Sequence, residues 1–61
     1  MKDRVNKAVE LANELGDLFY SMVNDVEDLD LKRLFKQLEA DMMDTRHKIA
    51  LAARIINSKD N

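Results

Sequence analysis

Cysteine and proline are absent from this 61-residue chain, glycine occurs once, and two Phe and one Tyr are its aromatic residues. Without cysteine there is no disulfide, no thiolate nucleophile and no Cys-type zinc site. Without proline, and with Gly16 as the lone glycine, the usual turn punctuation is missing, which favours long helices over short strands. No apolar run approaches the roughly 20 residues needed to cross a bilayer. The opening Met1-Lys2-Asp3-Arg4 also lacks the apolar core of a secretory signal, so a cytoplasmic location and no membrane partner are expected. A domain of this size buries only about 60% of the surface its unfolded chain exposes. With no covalent staple to help, self-association becomes the expected source of stability.

What is present is a seven-residue repeat. Val5, Ala12, Phe19 and Val26 recur at that interval, and Ala8, Leu15, Met22 and Leu29 repeat it three positions later, an a/d stripe. A second stripe places Phe35, Met42, Ile49 and Ile56 at a, with Leu31, Leu38, Thr45 and Ala52 at d. The pattern predicts one domain over 1–61, with a helix from about 3 to 26, a loop at about 27–28 and a helix from about 29 to 57. Asp28 is placed to accept hydrogen bonds from the free amides that open the second helix, and Asp30 favours the positive end of its dipole. So short a loop makes the helices antiparallel. Each is roughly 35 to 40 Å long at 1.5 Å per residue.

The expected fold is therefore an all-α antiparallel helical hairpin that associates into a four-helix bundle or higher homo-oligomer. Its expected oligomer core is Phe19, Met22, Phe35, Leu38, Met42, Ile49 and Ile56. Val9 and Val23 at e, with Leu11, Leu18, Leu34 and Ile55 at g, widen the apolar stripe beyond a strict two-helix seam. Tyr20, Met43, Ala50 and Leu51 fall on the far side, either as a further contact or as the scattered surface apolar residues that are common.

The formal net charge is −2, but it is unevenly spread. No Lys or Arg lies between Lys7 and Lys32, an interval holding Glu10, Glu14, Asp17, Asp25, Glu27, Asp28 and Asp30. In an antiparallel hairpin the loop end is acidic, and Lys2, Arg4 and Lys7 come beside Arg54 and Lys59 at a basic end. Two hairpins joined in the same direction concentrate positive potential there, a seat for phosphate or another anion. Joined head to tail, their ends attract and largely cancel. Arg54, Lys48, Lys7 and Arg4 are the candidate anion ligands, Arg54 foremost because its planar fork can hold a phosphate bidentately.

Other chemistries find less support. The chain is net acidic and lacks a basic stripe with interleaved aromatics, so no DNA partner is expected. Ser21 and Ser58 stand far in sequence from the lone His47, and no glycine-rich turn is available for an oxyanion hole or a phosphate loop.

Three stretches resemble known families. Glu14-Leu15-Gly16-Asp17-Leu18-Phe19 resembles the motif helix of MazG-type nucleoside triphosphate pyrophosphohydrolases. That resemblance implies Glu14 and Asp17 as ligands of Mg²⁺, a hard ion that takes clustered oxygens and substrate phosphates. The family's second pair, ExxE, has no counterpart before Glu14, where the acids are Asp3 and Glu10. On the heptad Glu14 falls at c and Asp17 at f, the outward face.

Gly16-Asp17-Leu18-Phe19-Tyr20, the segment EDLDLKRLF and the run Asp44-Thr45-Arg46-His47 together resemble half of a ferritin-like or rubrerythrin domain. The resemblance implies di-iron binding, with Asp44 and His47 as the iron ligands, although the family carries Glu at the acid position and here Asp44 and His47 occupy c and f. The helix DTRHKIALAARIIN is similar to the C-terminal helix of small phage proteins that oligomerise and sequester cyclic-nucleotide signals, with Arg54 as the matching residue. The expected function is accordingly a non-enzymatic oligomeric binding module, holding a nucleotide-like anion at an inter-subunit basic end and needing no cofactor. A Mg- or Fe-dependent all-α enzyme is the alternative.

Overall fold

A computed structural model describes residues 1–59; Asp60 and Asn61 lie outside the described residues. Its elements are α1 (Lys2–Asp25) and α2 (Leu29–Lys59), packed along their length as an antiparallel hairpin. The pattern predicts helices at about 3–26 and 29–57. No helix among the described residues is long and apolar enough to cross a membrane.

The turn between the helices is three residues, Val26 to Asp28. Val26 leaves α1 in an extended conformation (φ −79°, ψ 136°) while its amide still donates to the Met22 carbonyl at 3.0 Å. A β-branched residue is comfortable there, so the chain reverses without a left-handed residue; positive φ occurs nowhere among the described residues. Asp28 then caps α2: its Oδ1 accepts from the Leu31 amide at 2.9 Å, and its carbonyl accepts from the Lys32 amide at 2.9 Å. The Leu31 amide is one that a helix start leaves free, and the Lys32 bond is the first of the helix itself.

Burial is shallow. The buried residues are Val5, Ala12, Gly16 and Val23 on α1 and Ala53 on α2, all small or short. Phe19, Phe35, Met42, Ile49 and Ile56 face the seam but stay half-buried. Among the described residues no side chain is fully buried. The Cα radius of gyration, 14.3 Å, exceeds the roughly 10.5 Å of a compact domain of this length, and the extents of 49 × 14 × 12 Å describe a rod pair one layer thick.

The seam differs from the a/d stripe in one respect. On α1 the buried line runs through Val5, Ala12, Gly16 and Val23, and on α2 the a residues alternate with Lys32, Glu39, Arg46 and Ala53. These are positions a and e. The d residues Leu15, Leu31, Leu38, Thr45 and Ala52 are exposed, while Ala8 and Met22 at d are half-buried. Long charged residues can do this because their methylene stems cover apolar surface while their heads stay in water.

Gly16 explains how the stems fit. A Cβ on Gly16 would lie 3.0 Å from Arg46 Nη1, 3.3 Å from Arg46 Cδ and 3.8 Å from Met42 Cγ. The Arg46 side chain crosses α1 where α1 has no side chain. That close approach accounts for a glycine inside a helix, where it costs about 1 kcal/mol relative to Ala. Nearer the termini, Asn57 Nδ2 donates to Asn6 Oδ1 at 3.4 Å and sets the register at that end.

Two stability changes follow from this packing. Asp28→Ala removes the cap and lowers stability by about 1 kcal/mol, read by urea denaturation followed by circular dichroism. Gly16→Ala gains up to about 1 kcal/mol of helix propensity but sets a Cβ 3.0 Å from Arg46 Nη1 and 3.3 Å from Arg46 Cδ, so the two effects largely cancel and stability changes little. Gly16→Val drives its branch into Arg46 and Met42 and costs about 1 to 3 kcal/mol; a stabilising Val in the same denaturation assay would refute the crossing at Gly16.

Candidate interaction face

Because α1 and α2 meet through a and e, each helix has one flank made of d and g and another made of b and f. In an antiparallel pair, like flanks come to the same side. A groove on one side of the hairpin illustrates this: Val9, Ala12 and Asn13 of α1 border it together with Met43, Arg46, His47 and Ala50 of α2. The d and g residues of both helices therefore share the opposite side.

That opposite side is the apolar one. On α1 it carries Leu11, Leu15 and Leu18, which retain 52%, 41% and 55% of their accessible surface, and together with Glu14 they border a shallow groove of their own. On α2 it carries Leu31, Leu34 and Leu38 toward the loop, Asp41, Thr45 and Lys48 at mid-height, and Ala52 and Ile55 toward the termini. Leu34 and Ile55 are 50% and 56% exposed. The Thr45 hydroxyl donates to the Asp41 carbonyl of its own helix at 2.9 Å, so covering Thr45 would orphan no hydroxyl.

Two of the candidate anion ligands pair with acids on their own helices. Lys7 Nζ lies 3.5 Å from Glu10 Oε2, and Lys48 Nζ lies 3.2 Å from Asp44 Oδ2, each an exposed pair along its own helix. Such pairs are worth only about 0.2 to 0.5 kcal/mol. Arg4 is exposed on α1, in the g row of Leu11 and Leu18. Arg54 borders a groove with Leu51, Ile55, Ser58 and Lys59, every one from α2. Arg54 and Lys59 are thus brought together, while Lys7 and Lys48 point to acids on their own helices.

The candidate metal ligands lie on both helices. Glu14 edges the leucine groove, Asp17 is exposed on α1, Asp44 holds Lys48, and His47 lies beside Arg46 in the groove on the other side. Among the described residues no three His, Asp or Glu side chains gather closely enough to hold an ion. Arg46 is the residue the heptad reading did not single out. The available signal was Gly16 itself, since an interior glycine with small Ala12 nearby marks a close approach.

The fold and this face together define a class, a two-helix antiparallel hairpin with one leucine-rich flank left uncovered. Within that class no family model matches the chain, and no curated protein or solved structure matches it at a significant level.

Proposed function

We propose that this chain is a self-associating helical-hairpin module, in which two copies cover each other's leucine flanks to make a four-helix bundle that binds without catalysis. One observation carries the reading: the hairpin gives seam positions to Lys32, Glu39 and Arg46 and leaves Leu11, Leu15, Leu18, Leu31, Leu34 and Leu38 outside. Had the hairpin needed only itself, the leucines would serve better in the seam.

Magnitudes support the same conclusion. The accessible surface is 4937 Å². A compact monomer of 7.1 kDa is expected to expose about 4,100 Å², so the excess is close to the roughly 800 Å² that one partner contributes to a standard-size interface. Covering the exposed halves of six leucines on each of two copies contributes roughly 9 to 18 kcal/mol. The cost of association is about 4 to 15 kcal/mol, so a stable dimer lies within reach.

Sedimentation equilibrium at micromolar concentration should give twice the chain mass. Leu15→Asp with Leu38→Asp should shift the chain to monomer and lower its helicity, because each charge is forced into the covered flank. A wild-type chain that sediments as a helical monomer at tens of micromolar would be incompatible with self-association.

A second reading concerns what the module holds. Arg54, Ser58 and Lys59 border one groove, and a guanidinium fork, a hydroxyl and an ammonium form a donor set suited to phosphate. This supports sequestration of a nucleotide-like anion on α2, within one subunit. In a thermal-shift screen of linear and cyclic nucleotides, a ligand at 100 times its dissociation constant stabilises the fold by about 2.7 kcal/mol. Arg54→Ala should abolish that shift and leave the dimer mass unchanged; equal binding by the variant rules the groove out.

A further inference from the structure

The leucine flank also carries information about how a second copy lies on it. Its two halves are unlike. On α1 the middle of the flank is apolar throughout, Leu11, Leu15 and Leu18. On α2 the same height, fixed by the crossing of Arg46 at Gly16, is polar: Asp41, Thr45 and Lys48. The ends are unlike in charge as well: Lys2, Arg4 and Lys59 outnumber Asp3 at the termini, and Asp25, Glu27, Asp28 and Asp30 gather at the loop, where Lys32, Arg33 and Lys36 of α2 fall at e, f and b, off this flank.

Resting on the self-association proposed above, we infer that the partner on this flank is a second copy turned end for end, with α1 against α1 and α2 against α2. Two symmetric ways exist to lay one hairpin flank on another. With the two-fold axis along the rod, both loops lie at one end and α1 covers the partner's α2. Leu11, Leu15 and Leu18 then press on Lys48, Thr45 and Asp41, which strips water from two charges against apolar side chains. The basic termini of both copies also crowd together, and so do the acidic loops, a like-charge arrangement at both ends.

With the axis across the rod, every one of these conflicts is relieved. The g row of α1 reads Arg4, Leu11, Leu18, Asp25 at seven-residue intervals. Reversed on itself, that row sets Leu11 against the partner's Leu18 and Arg4 against the partner's Asp25. Leu15 falls at the axis and meets the partner's Leu15, while small Ala8 meets the partner's larger Met22. On α2, Asp41 and Lys48 flank the axis, and each comes toward the opposite charge of the other copy. Each basic terminus comes to the partner's acidic loop. The groove at Arg54 is lined by α2 alone and shares Ile55 with the covered flank, so this dimer carries two such grooves at opposite ends, each beside the interface.

The chain has no native cysteine, so Glu27→Cys at the exposed loop gives one spin-label site per copy. Sedimentation of the labelled chain and the dipolar distance between labels are measured together. A dimer with labels about 40 Å apart, roughly one helix length at 1.5 Å per residue, supports the end-for-end arrangement. A dimer with labels within about 25 Å, as expected for loops on adjacent layers about 10 Å apart, overturns the arrangement and leaves self-association standing. A monomer with no dipolar signal overturns self-association itself. Leu15→Cys provides an independent readout, since under mild oxidation it should link two copies through the axis; a dimer in which Leu15→Cys fails to link, while Leu15→Cys with Thr45→Cys links readily, overturns the arrangement too.

Discussion

Two helices can cover only one stripe of each other, and everything else about this molecule follows from that limit. A helix in a globular domain buries a stripe wider than 100°, whereas a single neighbour reaches little more than the a and e positions. The apolar stripe on α1 extends from Val9 and Val23 through Val5 and Phe19 to Leu15, Leu11 and Leu18. Half of it meets α2 and half meets water. The absence of any fully buried side chain among the described residues is the direct consequence, and so is a radius of gyration well above that of a compact domain.

The division of that stripe decides what the hairpin offers to others. Beside its a residues the seam takes small residues and charged stems, with Gly16 against Arg46 and Met42, so the helices come close without consuming the leucines. The outer flank keeps the leucines and a pattern of charges that reverses sign from the termini to the loop. In the proposed dimer, covering the flank with another copy would address stability and specificity at once: apolar area would supply the energy, and the reversed charges would choose the orientation. The groove at Arg54, proposed above to hold a phosphate, is lined by α2 alone and shares Ile55 with the leucine flank.

Gly16 shows how one residue can be read in two ways. In the segment ELGDLF it resembles part of a metal-binding motif helix, with Glu14 and Asp17 as its acids. In the folded hairpin it is the place where the Arg46 side chain crosses α1, while Glu14 and Asp17 lie outward and His47 and Asp44 are held on the other helix. Packing alone is sufficient reason for a glycine at this position. The resemblance and the packing concern different faces of the same turn.

The all-α hairpin was legible in the sequence because its causes are local. Heptad spacing, the lack of proline, and Asp28 positioned to cap the second helix each act within a few residues, and the Asp28 to Leu31 hydrogen bond is the one such spacing anticipates. The charge gap between Lys7 and Lys32 likewise needed only an antiparallel turn to become an acidic loop end. The seam was not legible in the same way. A stripe that includes a, d, e and g contains two possible seams, a/d and a/e, which differ by a modest rotation of each helix about its axis. Hydropathy favours a/d, since on α2 it offers Leu31 and Leu38 against Lys32 and Glu39. Only the tertiary structure chose a/e, because the choice depends on the interlock of Gly16 with Arg46 from the other helix, and on stems that bury while their charges do not. Sequence alone determined how much apolar surface the helices carry; the fold decided which part of it they keep from each other.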